Sequence, residues 1–358
     1  MFENNYTIGV EEEYMICNPT DGELINKADE IISKIPNHLK DRFSYELLLS
    51  EIESNTVICD NVKDACSNIL FNRNLLSDIG NEIGFKLGIS GTHPTSKPSD
   101  QKFVNNDSYN WVSEQLKYYA QRNVTFSTHI HIGIQSPELI IKVTNSLRRW
   151  IAPMLALSAN SPFFDSRETG MQSSRIFQFS TFPRTNIPAF IKNLNEYNRL
   201  VELYIKSDSI EQQRQIWWKI RPHIEYKTVE FRVCDIQRSI RNTELLIALT
   251  QALVHTIVSK EDFTKNDYNY EVLQDGLWKS ARFGLNGKII DPFDSKVLSL
   301  KNMIKIMLNY CEESLKYFNN KHDIVLECKN TSTTKLRASP RRRSRVHFSE
   351  FLIIGVKC

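Results

Sequence analysis

Three consecutive carboxylates, Glu11-Glu12-Glu13, stand inside a strand-forming run that begins Thr7-Ile8-Gly9-Val10 and continues with Tyr14. Successive side chains of a strand alternate between faces, so Glu11 and Glu13 share one face while Val10, Glu12 and Tyr14 share the other. Two carboxylates about 7 Å apart along one face repel each other unless water, a cationic side chain or a metal ion intervenes. A hard divalent cation would satisfy both, and an exposed edge strand would leave them in water. The same device recurs. Residues 124–134 alternate from Phe126, with Thr128, Ile130, Ile132 and Ile134 on one face and Ser127, His129, His131 and Gly133 on the other. Residues 228–234 place Glu230 and Arg232 together, opposite Val229, Phe231 and Val233. The stretch 44–54 reads as a fourth strand that adds Glu46 and the same-face pair Glu51 and Glu53. Strands with one apolar and one charged face describe a sheet packed on a core, with a reaction chamber on its polar side.

The elements around these strands follow from helical spacing and end signals. Asp60 is a candidate cap for a helix reaching Gly80 or Gly84, with Val62, Ala65, Ile69, Leu76, Ile79 and Ile83 at helical intervals. Ser136-Pro137-Glu138 reads as a helix start that leads through Leu139, Val143 and Leu147. Residues 243–258 are apolar nearly all round and predict a deeply buried helix. Strands that return after irregular helical connections, without regular βαβ alternation, indicate an α+β fold with a largely antiparallel sheet. No internal repeat, glycine-rich phosphate loop or dinucleotide fingerprint occurs. Bound nucleotide phosphates would therefore have to be held by metal and arginine.

Composition sets the class. With 41% hydrophobic and 24% charged residues, the 358-residue chain can bury a substantial core and is not a disordered polyelectrolyte. Residues 1–5 show no basic region leading into an apolar stretch, and the most apolar run, 150–159, contains Pro153 and is far short of a membrane span. A cytoplasmic location is the expectation. Seven cysteines without a C-x-x-C pair argue against a disulfide framework and a zinc ribbon. The formal charge of +3 is carried by Lys335, Arg337, Arg341, Arg342, Arg343 and Arg345, and without them the remainder is net acidic. We read 331–358 as a solvated basic tail and 1–330 as one domain; nucleic acid is not the expected partner.

Several motifs together resemble a known family. They are Gly9-Val10-Glu11-Glu12-Glu13-Tyr14, Gly91-Thr92-His93-Pro94, Thr128-His129-Ile130-His131-Ile132-Gly133, Ala159-Asn160-Ser161-Pro162-Phe163-Phe164 with Arg167-Glu168-Thr169-Gly170 and Ser174-Arg175, and Trp218-Lys219-Ile220-Arg221-Pro222 followed by Thr228-Val229-Glu230-Phe231-Arg232-Val233-Cys234-Asp235. In this order, and through Trp278, Ala281-Arg282, Gly284 and Ile290-Asp291, they are similar to the type 2 glutamate-cysteine ligases. These are bacterial ATP-dependent carboxylate-amine ligases with a glutamine synthetase-like fold.

The resemblance implies a curved, largely antiparallel sheet with its active-site face polar and its back covered by helices. It implies phosphoryl transfer from ATP to a glutamate side-chain carboxylate, then displacement of phosphate by the amine of cysteine or another amino compound, in the presence of Mg2+ or Mn2+. By similarity Glu11, Glu13, Glu53 and Glu230 are metal ligands, with Glu46 a fifth. Arg232, Arg175 and Glu230 form the catalytic set, and His129, His131, Arg167, Arg221 and Arg282 join Arg175 and Arg232 in holding ATP or substrate. Planar guanidinium groups suit phosphate and carboxylate alike. Partners are small molecules, with a homo-oligomer possible and no membrane involved.

Other readings of the same residues stand beside this one. The His129-x-His131 pair also suits a zinc hydrolase, and a weakly active homologue could act as a nucleotide-binding module. His93 fits a loop-fixing role, Trp217 and Trp218 fit the core, and Cys234 fits a buried small side chain. Asn160-Ser161-Pro162 and Thr169-Gly170 read as turns, and Asp235 either caps a strand end or pairs with an arginine. The chain departs from the family pattern at 183–188, which lacks a glycine, and at 327–334, where a glycine and glutamine pattern closing the nucleotide site is replaced by Glu327-Cys328-Lys329-Asn330-Thr331-Ser332-Thr333-Thr334.

Overall fold

The computed structural model describes residues 5–320. The basic tail, the segment 327–334 and the domain boundary expected at 330 lie outside the described residues. Eleven strands form among the described residues: β1 Ile8–Cys17, β2 Phe43–Tyr45, β3 Glu51–Asn55, β4 Lys86–Gly88, β5 Thr128–Gly133, β6 Phe163–Phe164, β7 Arg167–Glu168, β8 Ile220–His223, β9 Thr228–Phe231, β10 Lys288–Ile290 and β11 Val297–Ser299. Seven of them make one sheet in the order β2-β3-β1-β5-β9-β8, with β4 paired to the far end of β1. Every pairing is antiparallel. The fold is α+β, as the irregular alternation of strands and helices predicts.

The alternation read from the sequence decides which face is buried. Ile8, Val10, Ile130, Ile132, Ile220, Val229 and Phe231 enter a core with the helices Val62–Ile83, Pro137–Leu147, Ile151–Ser158 and Ile240–Ser259. Each such side chain contributes about 1.5–3 kcal/mol on burial. The helix Ile240–Ser259 is buried along most of its length, from Thr243 to Ile257, in keeping with its all-round apolar sequence. A second core, around Tyr14, Ile16, Ile52, Leu76 and Phe126, supports the other end of β1.

Two expectations are corrected. The cap of the helix Val62–Ile83 is Asn61, whose Oδ1 accepts from the Asp64 N–H at 2.9 Å, and Asp60 does not serve. Asparagine and aspartate cap equally well, so the choice falls to backbone position. The far end follows expectation: Gly84 takes a left-handed conformation, φ 80°, that ends the helix without strain. The stretch 44–54 is not one strand but two, β2 and β3, paired antiparallel with Ser44 opposite Glu53. Its apolar run Leu47-Leu48-Leu49 carries no glycine or proline to signal the turn. No helix among the described residues is long and apolar enough to cross a membrane.

Candidate active site

The sheet register lays the polar residues in a stripe across the strands. Glu53 on β3 lies opposite Glu13 on β1, Glu11 opposite His129 on β5, His131 opposite Glu230 on β9, and Glu230 opposite Arg221 on β8. Opposed residues point to the same face, so seven positions on five strands, bearing carboxylates, imidazoles and a guanidinium, converge without any loop to place them.

The contacts divide the stripe into two halves. On the β9 side, Glu230 is fully buried and accepts from the Arg221 Nε on one oxygen and from an Arg232 Nη on the other. Burial alone would raise its pKa, but the two guanidinium groups hold it far below the usual carboxylate range. Glu11 takes His129 Nδ1 at 2.9 Å and lies 3.2 Å from His131 Nε2. Burial opposes ionisation of Glu11, yet the imidazoles keep its pKa low. Burial likewise disfavours His131 as a cation, and Glu230 and Glu11 outweigh it and raise its pKa.

On the β3 side, acid is in excess. Glu13 accepts from both the backbone N–H and the hydroxyl of Ser127, at 2.6 and 2.7 Å, and the Ser127 hydroxyl also meets His129 Nε2 at 2.7 Å. Glu53 has Ser44 and Asn55 as donors, at 2.8 and 3.2 Å, and no cationic partner among the described residues. Burial and the charges of Glu11, Glu46 and Glu13 push its pKa well up. Glu46, held by the Leu47 N–H at 3.1 Å, is pushed up to about 8 by burial and by Glu13 and Glu51. Glu51 is raised as well, by burial and Glu13, and one of its oxygens is buried without a partner. Carboxylates whose ionisation is opposed first by burial and then by neighbouring carboxylates would be relieved by added positive charge.

The donor set fits a hard divalent cation. Three overlapping groups each offer ligand atoms within 4.8 Å of one another: Glu13, Glu46 and Glu53; Glu11, Glu53 and His129; and Glu11, His131 and Glu230. Oxygen dominates all three, as magnesium or manganese prefers.

Beside the stripe opens a cavity of about 360 Å³ lined by side chains of both charges. Glu13 and Glu46 contribute carboxylates, Arg175, Arg214 and Arg232 guanidinium groups, and Tyr109, Phe179, Phe182 and Trp217 aromatic wall. Trp217 thus lines the cavity, against the core role expected for it, whereas Trp218 is buried beside Tyr197. Arg214, Gln215 and Tyr109 went unread, because nothing in their local sequence periodicity links them to the strands.

Asp235 organises the basic wall. It accepts from Arg175 Nε at 2.8 Å, Ser161 Oγ at 2.7 Å, Ser173 Oγ at 2.9 Å and the Asn160 N–H at 2.8 Å. Arg175 also donates to the carbonyls of Arg232 and Val233. The arginine is therefore fixed in place while it lines the cavity. A Cβ at Gly91 would come within 2.7 Å of the Asp235 carboxyl carbon, so only glycine admits this approach. Asn160 and Ser161, read as a turn, hold Asp235 in addition. His93 fixes a loop: its Nδ1 accepts from the Thr95 and Ser96 N–H groups and its Nε2 faces the Gly22 carbonyl at 2.9 Å. Cys234 is fully buried.

Two expected site residues stand apart from the cavity lining. Arg167 is exposed on the β6–β7 hairpin, and Arg282 donates to the Gly170 carbonyl and stacks over Phe283. The structure brings Glu11, Glu13, Glu46, Glu53, Glu230, His129, His131, Arg175, Arg221 and Arg232 together, and not these two.

Comparison with known proteins accords with this geometry. The profile of glutamate-cysteine ligase family 2 matches residues 7–328. Curated relatives that bear the family's name include one from Solibacter usitatus, 32% identical over 92% of this chain and 88% of its own length, and one from Rubrobacter xylanophilus, 36% identical over 80% and 77%. Among solved structures, a glutamate-cysteine ligase from Francisella tularensis in complex with AMP superposes with a TM-score of 0.73 at 12% identity, covering 98% of this chain and 87% of that one. A bifunctional glutathione synthetase from Pasteurella multocida gives 0.68 at 11% identity, over 96% of this chain and 51% of that one. At such identities the likeness is one of fold.

Proposed function

Because the chain belongs to glutamate-cysteine ligase family 2, we propose that it is an ATP-dependent carboxylate-amine ligase whose reaction takes place over the Glu11–Glu230 stripe. One observation carries the reading: carboxylates in excess over cations lie against a cavity that arginines also line. In the proposed reaction a substrate carboxylate oxygen attacks the γ-phosphorus of ATP and ADP leaves. The amine nitrogen of the second substrate then attacks the acyl carbon, phosphate leaves, and the nitrogen loses a proton.

Negative charge is the obstacle in the first step. Glu11, Glu13, Glu46, Glu53 and Glu230 would hold magnesium or manganese, which when bound neutralises phosphate charge. Arg232 and Arg221 are oriented by Glu230, and Arg175 by Asp235, so their guanidinium groups are fixed before substrate arrives and need no reorganisation at the moment of transfer. His129 and His131 are tied to Glu11 and set its orientation. Glutamate is the proposed carboxylate and cysteine, or another amino compound, the proposed amine.

The test is ADP formation across pairs of amino acids with magnesium and ATP, with each product identified by mass. Amino-acid-dependent ADP release with an amide product supports the reading. One tightly held zinc per chain, lost together with a hydrolytic activity on His129→Ala, would replace it with the hydrolase reading.

A further inference from the structure

Past the carboxylate stripe, the charged face of the sheet continues by one more pair of residues. In the β8–β9 register Ile220 lies opposite Phe231 and Arg221 opposite Glu230. The next pair outward is therefore Lys219 and Arg232, and the Arg232 N–H donates to the Lys219 carbonyl at 2.9 Å. Alternation puts Lys219 on the same face as Arg221 and Glu230, the face of the carboxylate stripe.

The lysine's surroundings are unusual for its type. Lysine ordinarily buries its stem and carries its ammonium to water, but Lys219 is 1% exposed and its Nζ has no hydrogen-bond partner among the described residues. That nitrogen stands 5.1 Å over the ring of Phe179, part of the cavity wall. The charged groups facing it are Arg175 from the helix Arg175–Phe179, Arg232 from the adjoining strand end, and Asp235. Asp235 is already saturated by Arg175, two serine hydroxyls and a backbone N–H. Burial, then the two guanidinium groups, push the amine's pKa well below its ordinary value. Arg232 adds a second orphan, since its Nε is buried without a partner too. Two buried donors without acceptors among the described residues, on residues paired at the strand ends, one lining the cavity and the other packed behind its Phe179 wall, are complementary to an anion.

We propose that Lys219 and Arg232 form an oxyanion subsite that takes a phosphoryl or carboxylate oxygen of a substrate. This rests on the ligase reading for the identity of the substrate, and on the register and the two orphan donors for the subsite itself. The arriving anion supplies the counter-charge that Asp235 cannot, so Lys219 takes a proton from solvent as the anion binds and returns it as the anion leaves.

Calorimetric titration of the full-length protein in saturating magnesium tests this, with sulfate and acetate as probes because neither titrates near neutrality. Heats measured in two buffers of different ionisation enthalpy give the proton count. His131 and Glu46 can exchange protons in the same range, so the comparison of wild type with Lys219→Met is decisive, and Lys219→Leu serves if the first variant folds poorly. The expected result is uptake of about one more proton by the wild type than by the variant, and affinity about tenfold or more weaker in the variant. Preference for sulfate would assign the subsite to a phosphoryl group, and preference for acetate to a carboxylate. Equal affinity and equal proton count in both proteins, or no binding of either anion to the wild type, overturns the proposal and leaves Lys219 as a neutral amine packed on Phe179. Because no turnover is read, absence of ADP formation would count against the ligase reading alone.

Discussion

Glu12 and its neighbours Glu11 and Glu13 are the same residue type on the same strand, and they live in opposite electrostatic worlds. Glu12 is 1% exposed and its charge is matched: Arg73 donates from Nη2 and Nε at 2.8 and 2.9 Å, and the Tyr14 hydroxyl donates at 2.6 Å. Arg73 in turn reaches the carbonyls of Gln237 and Arg238. Glu13 faces Glu46, Glu51 and Glu53, and Glu11, though paired with His129 and His131, adds its charge to Glu53, so acid outnumbers base there. A buried carboxylate with a complete set of partners holds elements together, here β1, the helix Val62–Ile83 and the 237–238 segment. A group of carboxylates short of partners stores repulsion that a cation can relieve.

Breaking the matched side should have the largest effect. Arg73→Met leaves the Glu12 carboxylate buried without its cation and is expected to cost about 3–5 kcal/mol of stability in urea unfolding. Glu13→Gln, one residue away, should leave metal-free stability unchanged or higher. Comparable losses in both variants would erase the distinction between the two faces.

On the unmatched side the loss should appear in turnover. Glu11→Gln and Glu230→Gln are each expected to lower the rate of ADP formation at saturating magnesium by about a hundredfold or more, the scale of losing a transition-state electrostatic contact. Near-normal rates with either variant would remove these residues from the metal and phosphate machinery.

A smaller effect sharpens the comparison through pH. Glu46, Glu51 and Glu53 have raised pKa values when folded, so the folded state binds more protons than the unfolded one above the ordinary carboxylate range, and stability falls as pH rises toward the folded value. His131, also raised, acts in the same direction above its ordinary value. His93, His223 and His255 have lowered pKa values, and their opposing contribution is complete by about pH 7. Lys219, whose pKa is lowered, opposes them through this window as well, so the test uses Lys219→Met: between pH 7 and 8.5 the metal-free variant should lose about 1 kcal/mol or more, seen as a falling unfolding midpoint, and magnesium should both raise the midpoint and flatten the slope. A midpoint indifferent to magnesium throughout this window would mean that the carboxylates carry no stored repulsion.

The smallest effect concerns Ser127, which holds Glu13 by two hydrogen bonds. Ser127→Ala removes the hydroxyl and keeps the backbone donor, at a scale of about 1 kcal/mol. The magnesium concentration for half-maximal rate should rise severalfold with the maximal rate nearly unchanged. A collapse of the maximal rate would make Ser127 part of the chemistry and not a support for Glu13.

What could be read from the sequence was whatever repeats with a short period. Strict alternation in β1, β5 and β9 put Glu11, Glu13, His129, His131, Glu230 and Arg232 on named faces, and the register then only had to align them. The apolar helix Ile240–Ser259 was legible for the same reason. Arg73 was not, because its partner Glu12 lies 61 residues away and nothing local marks a helix position as ionic. Lys219 escaped notice because a lysine between Trp218 and Ile220 looks like an ordinary solvated charge until its opposite number just beyond β9, Arg232, is known. The break between β2 and β3 was hidden by three leucines, and the split in role among the arginines, with Arg175 anchored on Asp235 and Arg167 outside the cavity lining, depends on loops whose paths no periodicity dictates.

The arrangement of β1 between β3 and β5 also disciplines assembly. A shift of this strand by a single residue exchanges its two faces, delivering Glu11 and Glu13 to the one guanidinium of Arg73 and leaving Glu12 alone before His129 and His131. The misaligned strand would carry a buried charge without a mate, so the chain is penalised for the error before any substrate is present. Scaffold and site are thereby completed in one event. An insertion or deletion of one residue within Ile8–Cys17 should act as a folding lesion first and a catalytic one second, and the triple glutamate serves as a ruler against which the neighbouring strands are aligned.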